Sequence, residues 1–240
     1  GESKVDASTA EAIQTLKNNG YEPFIATGRS SAETRDIMES ANIHSGIFMN
    51  GQVVLYQGKR VYSSEIPTEM VKKFHQMVKE DGYGLTAYNH EQFYLVESTD
   101  GAKDAYGFIH TNPPALNADF YIDNPINMLL FICLPPAEEK YKEAFPHLDF
   151  LRNTPFSVDV ITKGNSKAEG IKRFLEYLNQ EDAKTFAFGD GPNDIEMLQA
   201  VQHPVAMGNA LPILKKIAEF ITTDNTDNGI INGLKHYGLI

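Results

Sequence analysis

The feature that most constrains this chain is an alternation of helix periods with short apolar strand runs, found at both ends. Ser8-Thr9-Ala10-Glu11 has the form of a capping box, in which the Ser side chain accepts from the third backbone N–H and the Glu reaches back. Ala12, Ile13 and Leu16 then repeat on one face until Asn18-Asn19-Gly20 supplies a stop. Phe24-Ile25-Ala26-Thr27 reads as a strand, followed by Gly28-Arg29 and a second capping box, Ser30 with Glu33, that opens a helix to about Ala41. Ile47-Phe48-Met49-Asn50 reads as the next strand and ends at Gly51. In the last third, Ser166 with Glu169 forms a third box before a helix that carries Ile171, Phe174, Leu175 and Leu178 on one face. A buried-type strand, Thr185-Phe186-Ala187-Phe188, runs into Gly189-Asp190-Gly191-Pro192-Asn193-Asp194, where Asn193 with Glu196 can cap the helix that follows. Further strands at 204–207 and 220–222 bracket another helix. Strands separated by helices pair in parallel, so both ends belong to an α/β fold with one parallel sheet.

The middle follows another rule. Residues 53–56 and 60–62 flank Gln57-Gly58-Lys59, a hairpin signal. After a helix over 68–79, strands at 85–88 and 93–96 surround Asn89-His90-Glu91. A strand over 128–134, a helix over 137–145 and a strand over 157–161 complete the region. Hairpins mixed with helices indicate an antiparallel α+β module inserted at about residues 65–160. That leaves 1–64 and 161–240 as one discontinuous domain.

Composition narrows the function classes. The formal net charge is −11 and the basic residues form no run, which disfavours a nucleic-acid partner. An acidic chain can still bind a phosphate, provided a metal or a placed lysine supplies local positive charge. The longest apolar stretch, 128–136, is too short to span a membrane. The opening Gly1-Glu2-Ser3-Lys4-Val5-Asp6 has no apolar leader segment. The single Cys133 sits in Leu-Leu-Phe-Ile-Cys-Leu and reads as a small core hydrophobe; with no disulfide possible within the chain, the cytoplasm is the expected compartment. The seven histidines show no metal-ligand spacing, so no zinc site is expected. Phe74, Met77 and Phe131 are core candidates in the inserted module, whereas Tyr88, His90, Tyr94 and Asp123 are expected near loop tips.

Ligands of open α/β sheets bind beyond the carboxyl ends of the strands. Thr27 ends a strand and precedes Gly28, so its hydroxyl and nearby N–H groups can face a phosphate. Asp190 ends another strand and begins an acidic turn. Lys167 occupies the first turn of the Ser166-capped helix, where the helix dipole disfavours a cation unless an anion lies close. Phosphoryl transfer needs this combination: a hydroxyl and amides to position the group, a lysine to neutralise it, and a carboxylate to hold Mg²⁺.

Ile25-Ala26-Thr27-Gly28-Arg29, Met49-Asn50-Gly51, Lys163-Gly164-Asn165-Ser166-Lys167, Gly189-Asp190-Gly191-Pro192-Asn193-Asp194 and Met207-Gly208-Asn209-Ala210 stand in this order along the chain. Together they resemble the successive signatures of Cof-type phosphatases of the haloacid dehalogenase superfamily, whose Rossmann-like parallel-sheet core carries a large inserted α/β cap. The resemblance implies that Thr27 hydrogen-bonds the phosphate and that Gly28 adds backbone contact. It further implies that Lys167 bridges phosphate and nucleophile, and that Asp190 ligates Mg²⁺. Asn193 would contact phosphate or a metal-bound water, and Asp194 would orient Lys167 or complete the metal shell. Lys163 is the alternative lysine; Arg29 and Asn50 are rim or hinge candidates. The implied reaction is Mg²⁺-dependent hydrolysis of a small phosphorylated metabolite through a phospho-aspartyl intermediate, with the cap choosing the substrate. A phosphomutase of the same superfamily, or a phosphate-binding protein without catalysis, are the alternatives.

One signature of the family does not occur here. Its Asp-x-Asp-Gly-Thr motif, with a nucleophilic first Asp and an acid–base second Asp, is absent from these 240 residues. Asp6 does not fit it, because no apolar strand precedes it. The expectation is a further strand of about 5–6 residues and a short loop ahead of Gly1. The sequence leaves the particular substrate and the oligomeric state open.

Overall fold

The computed structural model describes residues 5–240, so Gly1-Glu2-Ser3-Lys4 of the opening lie outside the described residues. The chain divides into two compact units, one of Ser63–Gly164 and one of residues 5–62 with Asn165–Ile240. No helix among the described residues is long and apolar enough to cross a membrane.

The first arm of the discontinuous unit begins with α1 (Ala7–Asn18). Its cap is Asp6 rather than Ser8: the Asp6 carboxylate accepts from the Thr9 N–H at 2.9 Å, while the Ser8 and Thr9 hydroxyls also donate to it. These donors, the Ser8 hydroxyl foremost, hold the Asp6 carboxyl down to about 2. A carboxylate wins this position over a hydroxyl because its charge also complements the helix dipole. Ser30 and Glu33 make the reciprocal bonds of a capping box, Ser30 N–H donating to Glu33 at 2.8 Å and Glu33 N–H to Ser30 Oγ at 3.4 Å, but the helix opens later than expected, at Arg35, with Thr34 at its cap and no side-chain capping bond. Between and after these lie β1 (Ile25–Ala26), α2 (Arg35–Ser40), β2 (Gly46–Phe48), β3 (Val53–Tyr56) and β4 (Lys59–Ser63). They form a four-stranded sheet in the order β1-β2-β3-β4, with β1 parallel and β3 antiparallel to β2.

The inserted unit contains α3 (Thr68–Asp81), β5 (Gly84–Tyr88), β6 (Phe93–Glu97), α4 (Gly101–Phe108), α5 (Phe120–Asp123), β7 (Met128–Ile132), α6 (Glu138–Ala144), β8 (Leu148–Thr154) and β9 (Ser157–Thr162). Its strands make one antiparallel sheet, β6-β5-β7-β9-β8. Strand alternation sends Leu85, Ala87, Leu129, Phe131, Val158 and Val160 to one face, where Phe74 and Val78 of α3 and Tyr141 of α6 cover them. On the other face Leu95 and Ile132 meet Ala102, Ala105 and Tyr106 of α4. The sequence reading missed β8, α4 and the short α5. In β8 only Leu148 and Phe150 alternate inward, too few to establish a period of two. The Asp100 side chain at the start of α4 makes no capping bond.

The chain then returns through α7 (Lys167–Leu178), β10 (Phe186–Gly189), α8 (Ile195–Ala200), β11 (His203–Ala206), α9 (Pro212–Ile217), β12 (Phe220–Ile221) and α10 (Gly229–His236). β10, β11 and β12 form a three-stranded parallel sheet. Met197, Leu198 and Leu214 of α8 and α9 pack with Ala187 and Ala206 on one side of it. Ala12 of α1 and Leu234 of α10 meet Phe186 and Phe188 in a separate cluster. Phe174 of α7 lies against Ile47 and Val54 of the four-stranded sheet.

The expected α/β core with parallel strand pairs is present, but not as one continuous sheet. Among the described residues the strands of this unit form two sheets, one of them mixed because β3 returns as a hairpin. Each sheet ends in a strand, β1 and β10, that is paired on one side only. Sheets are continuous only where backbone N–H and C=O groups meet, and no described strand joins these two edges. Side chains do reach across: Ala26 of β1 packs into the cluster around Ala187 of β10.

Candidate functional site

Lys167 is the first residue of α7, whose cap Ser166 accepts from the Glu169 N–H at 3.2 Å. Its ammonium is buried, 6 % exposed, and donates to Asp194 Oδ1 at 2.7 Å. A lysine at the positive end of a helix dipole, taken out of water, needs such a carboxylate. The other Asp194 oxygen accepts from the backbone N–H groups of Asp190 and Gly191, both at 3.0 Å. Asp194 therefore closes the turn after β10 and fixes Lys167 with the same side chain. Asn193 does not cap the following helix as expected: the cap position of α8 is Asp194, whose side chain makes no capping bond to that helix and binds the Gly191 N–H ahead of the turn instead.

Asp190 is exposed and differently held. Its Oδ2 accepts from the Asn209 side-chain amide at 2.8 Å, and Asn209 Oδ1 accepts from the Asn225 N–H at 3.2 Å. The Asp190 carbonyl accepts from Leu211 N–H at 3.1 Å, which ties its turn to the loop after β11. Sequence reasoning placed Asn209 in a signature but gave it no role. The one available signal was its position just past a strand end, after Gly208.

Thr27 follows β1, and its N–H donates to the Ile47 carbonyl at 2.9 Å. Thr27 Oγ1 accepts from the Arg29 N–H at 3.1 Å, which leaves its own O–H as a donor. No partner takes the Gly28 N–H among the described residues. A Cβ at Gly28 would stand 3.3 Å from the Asn50 amide. Asn50 Oδ1 in turn accepts from Asn193 Nδ2 at 3.4 Å. The structure thus links Thr27, Gly28, Asn193, Lys167, Asp190 and Asp194 within one unit.

Other candidates lie elsewhere. Lys163 is exposed and donates to the Pro146 carbonyl at 3.4 Å. Arg29 is exposed, and its carbonyl accepts from the Met49 N–H at 3.0 Å. Tyr88, expected near a loop tip, is 3 % exposed; its hydroxyl is 3.0 Å from that of Tyr106, and its ring stacks on Phe93. Tyr94 packs on Phe120, His90 lies 3.3 Å from Glu91, and Asp123 is exposed. The inserted unit also carries an open cleft of about 770 Å³ lined by Tyr83, Cys133 and Lys140, among others. It holds no poised nucleophile, because burial pushes the Cys133 thiol up to about 11. Lys140 there is committed to Asp81.

A metal site can be tested on the donors present. No group of three His, Cys, Asp or Glu side chains among the described residues is arranged to hold a metal. Mg²⁺ keeps several waters and takes one or two carboxylates. Asp190, exposed and oriented by Asn209, with Asn193 in the same turn, fits part of such a shell. The Asp194 oxygens are already engaged by Lys167 and two N–H groups.

Over residues 1–234 the chain matches the family described as haloacid dehalogenase-like hydrolase. It is 35 % identical over 244 residues to "Putative phosphatase YkrA" of Bacillus subtilis, covering 98 % of this chain and 92 % of the relative. A crystal structure of a hypothetical protein from Geobacillus kaustophilus superposes with a TM-score of 0.92 at 32 % identity, over 99 % of this chain and 93 % of that one. The sugar phosphatase BT4131, of subclass IIB of the same superfamily, superposes with a TM-score of 0.83 at 27 % identity, with coverage of 99 % and 93 %.

Proposed function

This chain belongs to the haloacid dehalogenase-like hydrolases, and we propose that it acts as a phosphatase on a small phosphomonoester, of the sugar phosphate class. The observation that carries this reading is Lys167, a buried ammonium that has three donors and one acceptor, Asp194, among the described residues. Its remaining N–H donors suit a dianionic phosphate. Thr27 O–H and Gly28 N–H position the phosphoryl oxygens, and Asn193, steadied by Asn50, donates to them. Of the two roles open to Asp194, orienting Lys167 is the one that its hydrogen bonds favour.

Asp190 and Asn193 are the proposed Mg²⁺ ligands, and the bound ion supplies charge neutralisation at the phosphoryl oxygens. The nucleophile is proposed to be the first Asp of an Asp-x-Asp-Gly-Thr segment on a strand seated between the one-sided edges of β1 and β10. Its oxygen attacks phosphorus, and the ester P–O bond breaks. The bonding pair leaves on the alcohol oxygen, which takes a proton from the second Asp. Water then cleaves the acyl phosphate, the second Asp recovers a proton, and inorganic phosphate leaves. Ser63–Gly164 is the proposed substrate-selecting cap, in line with the sugar phosphatase among the structural relatives. The single buried Cys133 suits a reducing compartment, so the cytoplasm is the proposed setting.

The test is phosphate release from p-nitrophenyl phosphate and a panel of sugar phosphates by the full-length protein, with Mg²⁺ and with a chelator. Lys167→Ala is expected to lower turnover by about 10²-fold or more, and Asp190→Asn to raise the Mg²⁺ concentration needed. Turnover indifferent to Lys167→Ala would remove this site from the chemistry. Phosphate binding without turnover, in a chain that carries Asp-x-Asp, would make the protein a binding module instead.

A further inference from the structure

The connection between β2 and β3 is short, and an ordinary hairpin loop of this kind lies exposed and polar. Here it is buried: Met49 and Gln52 are 0 % exposed and Asn50 is 2 % exposed. Three successive residues, Met49, Asn50 and Gly51, have φ of 50, 54 and 93°. Two of them are not glycine, and the left-handed region is costly for such residues, so their surroundings must enforce it.

Contacts that hold this turn lead to groups of the phosphate site. Asn50 N–H donates to the Thr27 carbonyl at 3.1 Å and Met49 N–H to the Arg29 carbonyl at 3.0 Å. The Asn50 side chain fills the space beside Gly28 and accepts from Asn193. Gly51 lies directly on the cap of α7: a Cβ there would stand 2.1 Å from the Ser166 carbonyl oxygen, one residue before Lys167. One turn therefore touches the Thr27–Gly28 loop, the Asn193 side chain and the start of α7.

We infer that the Met49-Asn50-Gly51 turn is the positioning element that sets the spacing of these three groups, with Asn50 as its key side chain. What the groups hold rests on the phosphomonoester reading above; the spacing itself does not. Asn50 touches no reacting atom in this scheme. It acts through Gly28 and Asn193.

The test uses Asn50→Gly in the full-length protein, because glycine keeps a φ of 54° at ease and removes only the side chain. Gln57→Gly is the control, a residue with φ of 48° in the exposed β3–β4 turn. In amide NMR spectra Asn50→Gly is expected to shift the Gly28 and Asn193 signals together. The inhibition constant of inorganic phosphate should rise about tenfold, with kcat/KM falling alongside, because misplacing a positioning group weakens binding and alignment together. Gln57→Gly should leave all of these unchanged. Gly51→Ala should shift the Ser166 and Lys167 signals and lower kcat more than it raises KM. Shifts confined to residues 48–52 with unchanged phosphate inhibition would overturn the inference, as would an equal loss in Gln57→Gly. If the unmodified protein neither binds phosphate nor turns over, the functional reading fails by itself. The Gly28 and Asn193 signals still decide this inference in that case.

Discussion

Each unit pairs a cation with a buried carboxylate, Arg152 with Glu138 and Lys167 with Asp194, and the two pairs are finished in opposite ways. In the inserted unit, Arg152 donates to both oxygens of Glu138 at 2.6 Å and to the carbonyls of Cys133, Thr154 and Pro155 at 3.2–3.3 Å. A guanidinium has five N–H donors in a fixed fork, and here they are satisfied from within. In the discontinuous unit, Lys167 is buried more deeply, its side chain 6 % exposed against 21 % for Arg152, yet its one acceptor among the described residues is Asp194. The lysine is withdrawn from water and the arginine only in part, yet of the two it is the lysine that keeps donors for something else among the described residues. The strands follow the same division, with one five-stranded sheet in Ser63–Gly164 and two smaller sheets in the other unit.

The largest expected effect comes from Asp194→Ala. It leaves the Lys167 ammonium and two N–H groups unpaired, so urea denaturation should show a loss of about 3–5 kcal/mol, with turnover falling at least as far as in Lys167→Ala. A variant of normal stability would show that Lys167 finds another partner, and the contrast would lose its basis.

Glu138→Ala breaks the other pair and is expected to cost about 3 kcal/mol, while turnover of p-nitrophenyl phosphate by the folded protein stays as it was. If turnover fell as sharply as in Asp194→Ala, the inserted pair would have a functional share too.

A pH titration sharpens the point at a smaller scale. The Arg152 guanidinium holds the Glu138 carboxyl below its usual 4.5 in the folded protein. A depressed folded value means that the contribution is complete above the unfolded value and fades as pH falls through the folded one. The stability gap between the unmodified protein and Glu138→Gln should therefore be constant above pH 5 and narrow below about 4.5. A gap that widened in acid would reverse the assigned sign.

The smallest effect concerns Cys133, which Arg152 contacts at 3.4 Å. With its thiol pushed up to about 11, it should resist iodoacetamide at pH 8 in the folded protein and react readily in urea, as read by mass spectrometry. Fast labelling of the folded chain would mean that this part of the inserted unit opens easily.

The sequence by itself determined the parts of this protein that depend on near neighbours. Helix periods and strand runs placed Thr27, Lys167 and Asp190 at element ends, where an α/β fold gathers its ligands. The bonds of Ser30 with Glu33 and of the Ser166 cap with Glu169 needed only residues three apart, although α2 opens beyond Ser30, at Arg35. Even locally the choice between donors escaped it, since Asp6 displaced Ser8 as the cap of α1.

Tertiary structure alone decided which groups remain available. The Lys167–Asp194 bond spans 27 residues and the Asn193–Asn50 bond spans 143, beyond any local period. Only these contacts separate Asp194, which is engaged on both oxygens, from Asp190, which stays exposed beside Asn209. Met49-Asn50-Gly51 reads as a strand end in one dimension; its left-handed form follows from the Thr27 carbonyl and the Ser166 cap pressing on it. Residue types carry chemistry, but burial and partners far along the chain decide which of them are left free to use it.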